Sequence, residues 1–334
     1  MRRKILALTS IILLLLTFAL ADKPVSIVRG DKKQTVKLPS TLWQPPHDIE
    51  TRDLFYGPGG QAGQPKAPFK FIEEDSDGGS PKFVVEDGQG VRWKVKLGSE
   101  AKSDAAATRL LSAVGYFADV NYYLPQLQVS GLPHLGRGQD YVSTDGTVHE
   151  ARLERMENEL KKIDDWSWFY NPFVGTKEFD GLRVMMALMN SWDLKDDNNA
   201  IYELRGRELR YAVKDLGATF GKTGGVGSRS KGDLEGYLAS GFIDEVTPTS
   251  VNLVLHSRPP LLLAVAAPYY INRTHMEQVA DDIPLHHAKW IGQWLARLSD
   301  KQIRDAFLGA GYSEHEASAY AEKVRERVIQ LNRL

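Results

Sequence analysis

No cysteine occurs in the 334 residues, and that absence removes disulfides, thiolate zinc sites and cysteine nucleophiles together. Without cross-links, the chain must draw its stability from a packed core. Charge of one sign is also missing: 42 Lys and Arg stand against 43 Asp and Glu, for a formal net charge of -1. A nucleic-acid binder would show a basic footprint, so that class of partner is excluded. There is no Gly-x-Ser-x-Gly elbow and no His-Glu-x-x-His, so serine hydrolase and zincin readings have no support. No internal repeat is visible. What remains is ordinary globular material, 42% hydrophobic and 25% charged, in a chain long enough for one large domain or two smaller ones.

The N-terminus carries a targeting pattern. Arg2, Arg3 and Lys4 precede an apolar run from Ile5 to Leu20, and Ala19-Leu20-Ala21 has the small-x-small form that signal peptidase cuts. Residues 1–21 therefore read as a signal peptide, with Asp22 as the mature start. The alternative is an uncleaved anchor, because the run approaches the length of a spanning helix. Either way the body is expected outside the cytoplasm, periplasmic or extracellular, and at a membrane only if the segment is uncleaved. No cysteine follows the run, which excludes a lipobox anchor. Cleavage removes three basic residues, so the mature chain is mildly acidic.

Residues 22–68 are rich in Pro, Gly, Lys and Gln and read as an extended arm, with a strand near Val25–Val28. Three strand signals follow at Phe69–Glu74, Lys82–Glu86 and Val91–Leu97. Asp87-Gly88-Gln89-Gly90 between the last two is a hairpin turn, since glycine accepts positive φ. The spacing of Ala106, Leu110, Ala113 and Val114 predicts a helix over about Ser99–Phe117, with Ser99 as N-cap. Strands are expected at Tyr122–Val129 and Val148–Met156. From about Glu157 the pattern turns helical: Phe179–Ser191, with Met185, Leu188 and Met189 as core, His286–Leu298 and Glu314–Leu331. A hairpin around Arg205-Gly206-Arg207 interrupts it. Gly217–Gly241 lacks an apolar period and reads as a loop. The class is α+β, with β-β-β-α-β-β first and mostly helices after.

The chemistry concentrates in one segment at the end of the apolar helix. Asp193, Lys195 and Asn198 have the spacing Asp-x-Lys-x-x-Asn, and Asp215-Leu216-Gly217 follows beyond the hairpin. These residues resemble the catalytic loop and metal-binding Asp-x-Gly of the protein-kinase-like superfamily. The resemblance spans roughly residues 69–220. It departs from the common pattern in having Ser191-Trp192 where His-Arg usually precedes the catalytic Asp. Asp215-Leu-Gly followed by Phe220 is nearer to atypical branches such as the HipA-type, type II phosphatidylinositol 4- and secretory-pathway kinases.

The resemblance implies a two-lobed fold, with residues 69–156 as a small β-rich nucleotide lobe and 157–334 as a helical catalytic lobe. It implies a phosphotransferase using Mg²⁺ and ATP. Asp193 would be the base, Lys195 would stabilise the moving phosphoryl group, and Asn198 and Asp215 would hold metal. Lys96 takes the place of the strand lysine that anchors the nucleotide, with Lys94 on the same strand face as the alternate. Gly78 and Gly79 lie where a phosphate-covering loop is expected. Glu100 is the carboxylate at the start of the following helix, nearer to Lys96 than the common layout has it. The acceptor is a protein, lipid or small-molecule hydroxyl. The alternative on the same fold is a catalytically inactive binding or adaptor protein of the cell envelope.

Other residues admit plainer readings. His286-His287 has no third ligand nearby and reads as structural. Trp166, Trp168, Phe169 and Tyr170 read as packing rather than a stacking platform. Asn272-Arg-Thr is a glycosylation sequon only in a glycosylating host, and Ser228 and Ser230 belong to a solvated basic loop.

Overall fold

Strands of the first sheet have one face to bury, most plainly where apolar and polar side chains alternate along Arg92–Leu97. In the computed structural model that face becomes the inside of a closed barrel. The structure describes residues 25–29, 32–36, 38–76, 80–157, 159–224, 229–255 and 267–334. Outside the described residues lie residues 1–21, read above as a signal peptide, Gly78 and Gly79 of the expected phosphate loop, Ser228, and the side chain of Asn272. Among the described residues no helix is long and apolar enough to cross a membrane.

The described residues begin with β1 (Val25–Arg29) paired antiparallel to β2 (Lys32–Val36), then a short β3 (Ser40–Thr41). The barrel follows: β4 (Phe69–Asp75), β5 (Lys82–Glu86), β6 (Arg92–Leu97), helix α1 (Glu100–Ala113), β7 (Asn121–Ser130) and β8 (Thr147–Arg155). Its order is β4-β5-β6-β8-β7, closed by parallel pairing of β4 with β7. Phe83, Val85, Trp93, Val95, Leu97 and Leu153 fill the interior. The Asp87–Gly90 turn forms as expected, with Asp87 Oδ1 accepting the amides of Gln89 and Val91 at 2.9 Å each. Ser99 stands at the N-cap of α1 but its side chain makes no capping hydrogen bond.

Residues 38–66 differ from the extended arm read in the sequence. Leu42, Ile49 and Leu54 are buried in the larger of two apolar clusters, the one that also holds the apolar face of α1. Trp43 donates to the Val114 carbonyl at 2.6 Å and packs edge-on against Trp290 and Trp294. Arg52 caps the end of α1 through the Ser112 carbonyl at 2.6 Å. Gly115, at φ 99°, permits this approach, since a Cβ there would meet the Gln44 carbonyl oxygen at 2.1 Å. Proline and glycine mark this segment as irregular, but its few large apolar groups still find a core.

The rest is not wholly helical. β9 (Leu160–Asp164) was not foreseen, and it joins β10 (Asn199–Leu204), β11 (Glu208–Val213) and β3 in one sheet. Its polar sequence, LKKID, carries no alternation to detect. Helix α2 (Lys177–Leu188) lies between β9 and β10. The expected loop at 217–241 contains a short α3 (Leu234–Ala239), capped by Asp233 accepting from Gly236. Beyond it, β12 (Ile243–Val246), β13 (Ser250–Leu253) and β14 (Ile283–Pro284) form a small sheet, with α4 (Ala267–Glu277) between β13 and β14 in chain order. Three helices end the chain: α5 (Leu285–Ala296), α6 (Asp300–Leu308) and α7 (Glu314–Arg333). Both α6 and α7 start with capping boxes, Ser299/Gln302 and Ser313/Glu316, which satisfy amides that no helical carbonyl reaches.

One buried cation ties the last helix to the second. Arg327 of α7 is completely buried. Its Nη1 donates to the carbonyl of Leu188 at 2.7 Å and to Asn190 Oδ1 at 2.8 Å, and its Nη2 to the carbonyls of Ser240 and Gly241 at 3.3 and 3.2 Å. The Leu188 carbonyl is one of those that the end of α2 leaves without a helical partner, and a cation there also meets the negative end of the helix dipole. Asn190 follows the C-cap with φ 52°, a left-handed conformation that Asn tolerates better than most residues. Replacing Arg327 by Met strands several buried acceptors at once. We expect urea unfolding to show a loss of about 3 kcal/mol or more; a loss of about 0.5 kcal/mol or less would mean that other donors serve these carbonyls.

Candidate active site

The segment from Asn190 to Asn198 is positioned at both ends. At its start, the amide of Ser191 donates to the Met186 carbonyl at 2.8 Å, and the amide of Phe220 to the Met189 carbonyl at 2.8 Å. At its end, the β10–β11 hairpin pairs Asn199 with Val213. That register brings Lys214 and Asp215 back beside the loop: their amides donate to the Asn198 carbonyl at 2.8 and 3.4 Å. Two motifs separated in sequence by a hairpin therefore share one carbonyl.

Within the loop, Asn198 Nδ2 donates to the Asp193 carbonyl at 2.6 Å and to Asp193 Oδ2 at 3.3 Å. Lys195 Nζ donates to the same Oδ2 at 3.1 Å. Arg273 of α4, almost fully buried, approaches Asp193 Oδ1 at 3.8 Å and donates to the Trp192 carbonyl at 2.5 Å. The carboxylate of Asp193 thus faces cations on both of its oxygens.

Opposite stands Lys96, at the end of β6 and buried. Its Nζ lies 2.8 Å from Glu100 Oε2, 3.0 Å from Asp215 Oδ1 and 3.7 Å from Asp104 Oδ2. Glu100, four residues away, reaches back because Gly98 turns the chain at φ 101° between β6 and α1. It also holds Ser80 and Lys231. The φ of Gly217 is not in the left-handed region; what requires glycine there is proximity to α1. A Cβ there would lie 2.8 Å from Glu100 Cβ, and Ser103 Oγ donates to the Gly217 carbonyl at 2.7 Å. Lys94 lines the same cleft and pairs with Asp75 at 3.1 Å.

Two buried residues escaped the sequence reading. Asp104 lies one turn beyond Glu100 on α1, with no exposure, and accepts from Arg152 Nη1 of β8 at 3.2 Å. Arg152 in turn donates to Glu154 Oε2 at 2.8 Å. A helical Asp among alanines reads as solvated surface, and the arginine that neutralises it lies 48 residues on. Asp119, half-buried, accepts from the Tyr202 hydroxyl at 3.2 Å.

The charges settle accordingly. Burial works against ionised Asp215, but the ammonium of Lys96 prevails and holds its carboxyl below the usual range. Burial likewise works against charged Lys96, and Asp104, Asp215 and Glu100 outweigh it, so the lysine stays protonated. Asp104 goes the other way: complete burial pushes it up to about 6 despite Arg152 and Lys96. Asp119 is raised by burial and by the nearby Glu154.

Between these walls lies a cleft of about 610 Å³ that contains Lys94, Lys96, Glu100, Asp193, Lys195, Asn198 and Asp215. Cavities of about 490 Å³ beside Trp166 and 570 Å³ between α6 and α7 bring together no comparable set. Trp166 and Trp168 are buried against each other at 4.8 Å, while Tyr170 is exposed. His287 pairs with Asp180 at 2.7 Å. Among the described residues no three His, Cys, Asp or Glu side chains cluster as a metal site.

Asp104 gives a measurable consequence. Its folded value lies above the ordinary 3.8, so its contribution to stability is complete below pH ~4 and is lost as pH rises through ~6. Asp104→Asn does not titrate. Its stability relative to the wild type should therefore rise between pH 4 and 7, by about 3 kcal/mol at most. Chemical denaturation at the two pH values reads this difference, and an unchanged gap would mean that Asp104 is ionised throughout.

No family model matches the chain, and no curated protein matches it. Among solved structures, a Helicobacter pylori proinflammatory kinase, CtkA, overlaps 79% of this chain and 95% of its own, at 9% sequence identity and a TM-score of 0.40.

Proposed function

We propose that this chain is an exported, Mg²⁺- and ATP-dependent phosphotransferase with a kinase-like, two-lobed layout, in which residues 69–156 form the nucleotide lobe and 157–334 the catalytic lobe. The observation that carries the reading is the convergence of Lys96, Asp193, Asn198 and Asp215 on one cleft, with Lys96 3.0 Å from Asp215. A motif that arose by accident would have no reason to gather a buried strand lysine from another part of the chain. Residues 1–21 supply the argument for export.

The donor set suits a hard cation. Asp215 is ionised and its side chain is 45% exposed, while Asn198, whose Nδ2 is engaged by Asp193, offers Oδ1 as a neutral oxygen. Such sites use one or two protein oxygens and leave the other positions to water and phosphate. When bound there, Mg²⁺ would neutralise charge on the transferring phosphates.

The chain's own residues do the rest. Asp193 orients the acceptor hydroxyl and takes its proton as the hydroxyl oxygen bonds to the γ-phosphorus and the bond from that phosphorus to the β-phosphate oxygen breaks, with ADP leaving. Lys195 places a positive charge beside the phosphoryl oxygens. Lys96 leaves Asp215 for the phosphates of the nucleotide, and Glu100 keeps it aimed. The acceptor is a hydroxyl on a protein, lipid or small molecule. The inactive adaptor reading has one feature in its favour, the polar wall of the cleft, which offers a nucleobase little apolar surface.

Two variants separate these readings. ATP with Mg²⁺ should raise the melting temperature of the wild type, and Asp215→Ala should abolish that shift. Asp193→Ala should keep the shift and lower phosphate transfer or ATP hydrolysis by about 10²–10⁴-fold. Turnover that survives Asp193→Ala undiminished would sink the catalytic assignment, and binding without turnover in the wild type would establish the adaptor.

A further inference from the structure

The sheet wall of the cleft is charged where a nucleobase would need apolar contact. In the barrel register Lys82 pairs with Lys96, Lys96 with Arg152, and Lys94 with Glu154. Lys94 and Lys96 are two apart on β6, and Arg152 and Glu154 two apart on β8, so all five share the face that points away from the barrel interior. All five line the cleft, as does Lys214 at the end of β11. Val84 shares the face but is buried and does not line the cleft. The aromatic ring in the cleft belongs to Trp192 on the other wall, and the guanidinium groups of Arg229 and Arg273 already lie over it, at 4.1 and 5.3 Å.

Resting on the phosphotransferase reading, we infer that the occupant of the cleft lays a phosphate chain, and not a nucleobase, against the strand wall, with Lys82, Lys94 and Lys214 as its contacts. The chemistry is one-sided. A neutral planar base gains affinity from apolar faces above and below, and here it would displace water from ammonium groups without replacing their hydrogen bonds. Phosphate oxygens accept from those same groups with charge assistance. Asp75, now 3.1 Å from Lys94 and 3.8 Å from Lys82, occupies the position that a phosphate oxygen would take. Arg152 stays protonated in spite of its burial, because Asp104 and Glu154 flank it, and it adds positive potential behind the lysines.

The test is isothermal titration of the full chain, with Mg²⁺, by three probes: ATP, inorganic triphosphate and adenosine. Triphosphate should bind within about tenfold of ATP, and adenosine should neither bind nor compete. Lys94→Leu, and separately Lys82→Ala in case the first disturbs the barrel, should weaken ATP and triphosphate together by about tenfold or more, a loss of some 1.4 kcal/mol. If adenosine competes with ATP while triphosphate does not, or if Lys94→Leu tightens ATP binding, the inference is overturned and the phosphotransferase reading stands. If neither ATP nor triphosphate binds the wild type, both fall.

Discussion

The structure around the cleft depends on the cost of keeping the ammonium of Lys96 away from water. An unpaired ion at that depth costs several kcal/mol even after relaxation. It is met by three carboxylates: Glu100 and Asp104 from the first two turns of α1, and Asp215, two residues after β11. Two distant parts of the chain must therefore come together around the lysine. The barrel, its helix and the hairpin are thus held in one arrangement by charge, over and above apolar contact. Asp104 shows how tight the arrangement is, since its own burial raises its proton affinity even between two cations.

Much of this could be read from the residues, and the line between what could and could not is physical. The strands β4 to β8, the Asp87–Gly90 turn and the hairpin around Gly206 announce themselves by period-two alternation and glycine, which are local properties. The grouping Asp193, Lys195, Asn198 and Asp215 was visible through spacing. What stayed hidden was settled by distant partners. Asp104 takes its meaning from Arg152, Arg327 from carbonyls more than eighty residues away, and β9 from a strand that supplies the pairing its own composition does not advertise. Residues 38–66 misled because proline and glycine describe backbone shape and say nothing of where Leu42, Trp43 and Ile49 are buried. Gly217 is made necessary by crowding against Glu100, a residue far away in sequence, and not by its torsion angles.

The cleft is also unusual in how its charge is balanced before any ligand arrives. Lysines and carboxylates alternate through it, and most of the cations already have an anionic neighbour. Such a surface is close to neutral yet highly polar, so an anionic ligand gains by exchanging partners, not by meeting bare charge. Exchange of this kind favours selectivity over raw affinity, because a ligand must replace each carboxylate it displaces with oxygens at similar positions.

Arg327 has a bearing on time as well as on stability. It meets Asn190 across 137 residues of chain, and Asn190 stands three residues before Asp193. While the chain is being made, the loop with the central carboxylate is therefore complete long before its anchor exists. Contacts that close such long loops come late in folding and slow it. The loop that carries Asp193 therefore gains this anchor only once α7 has been made.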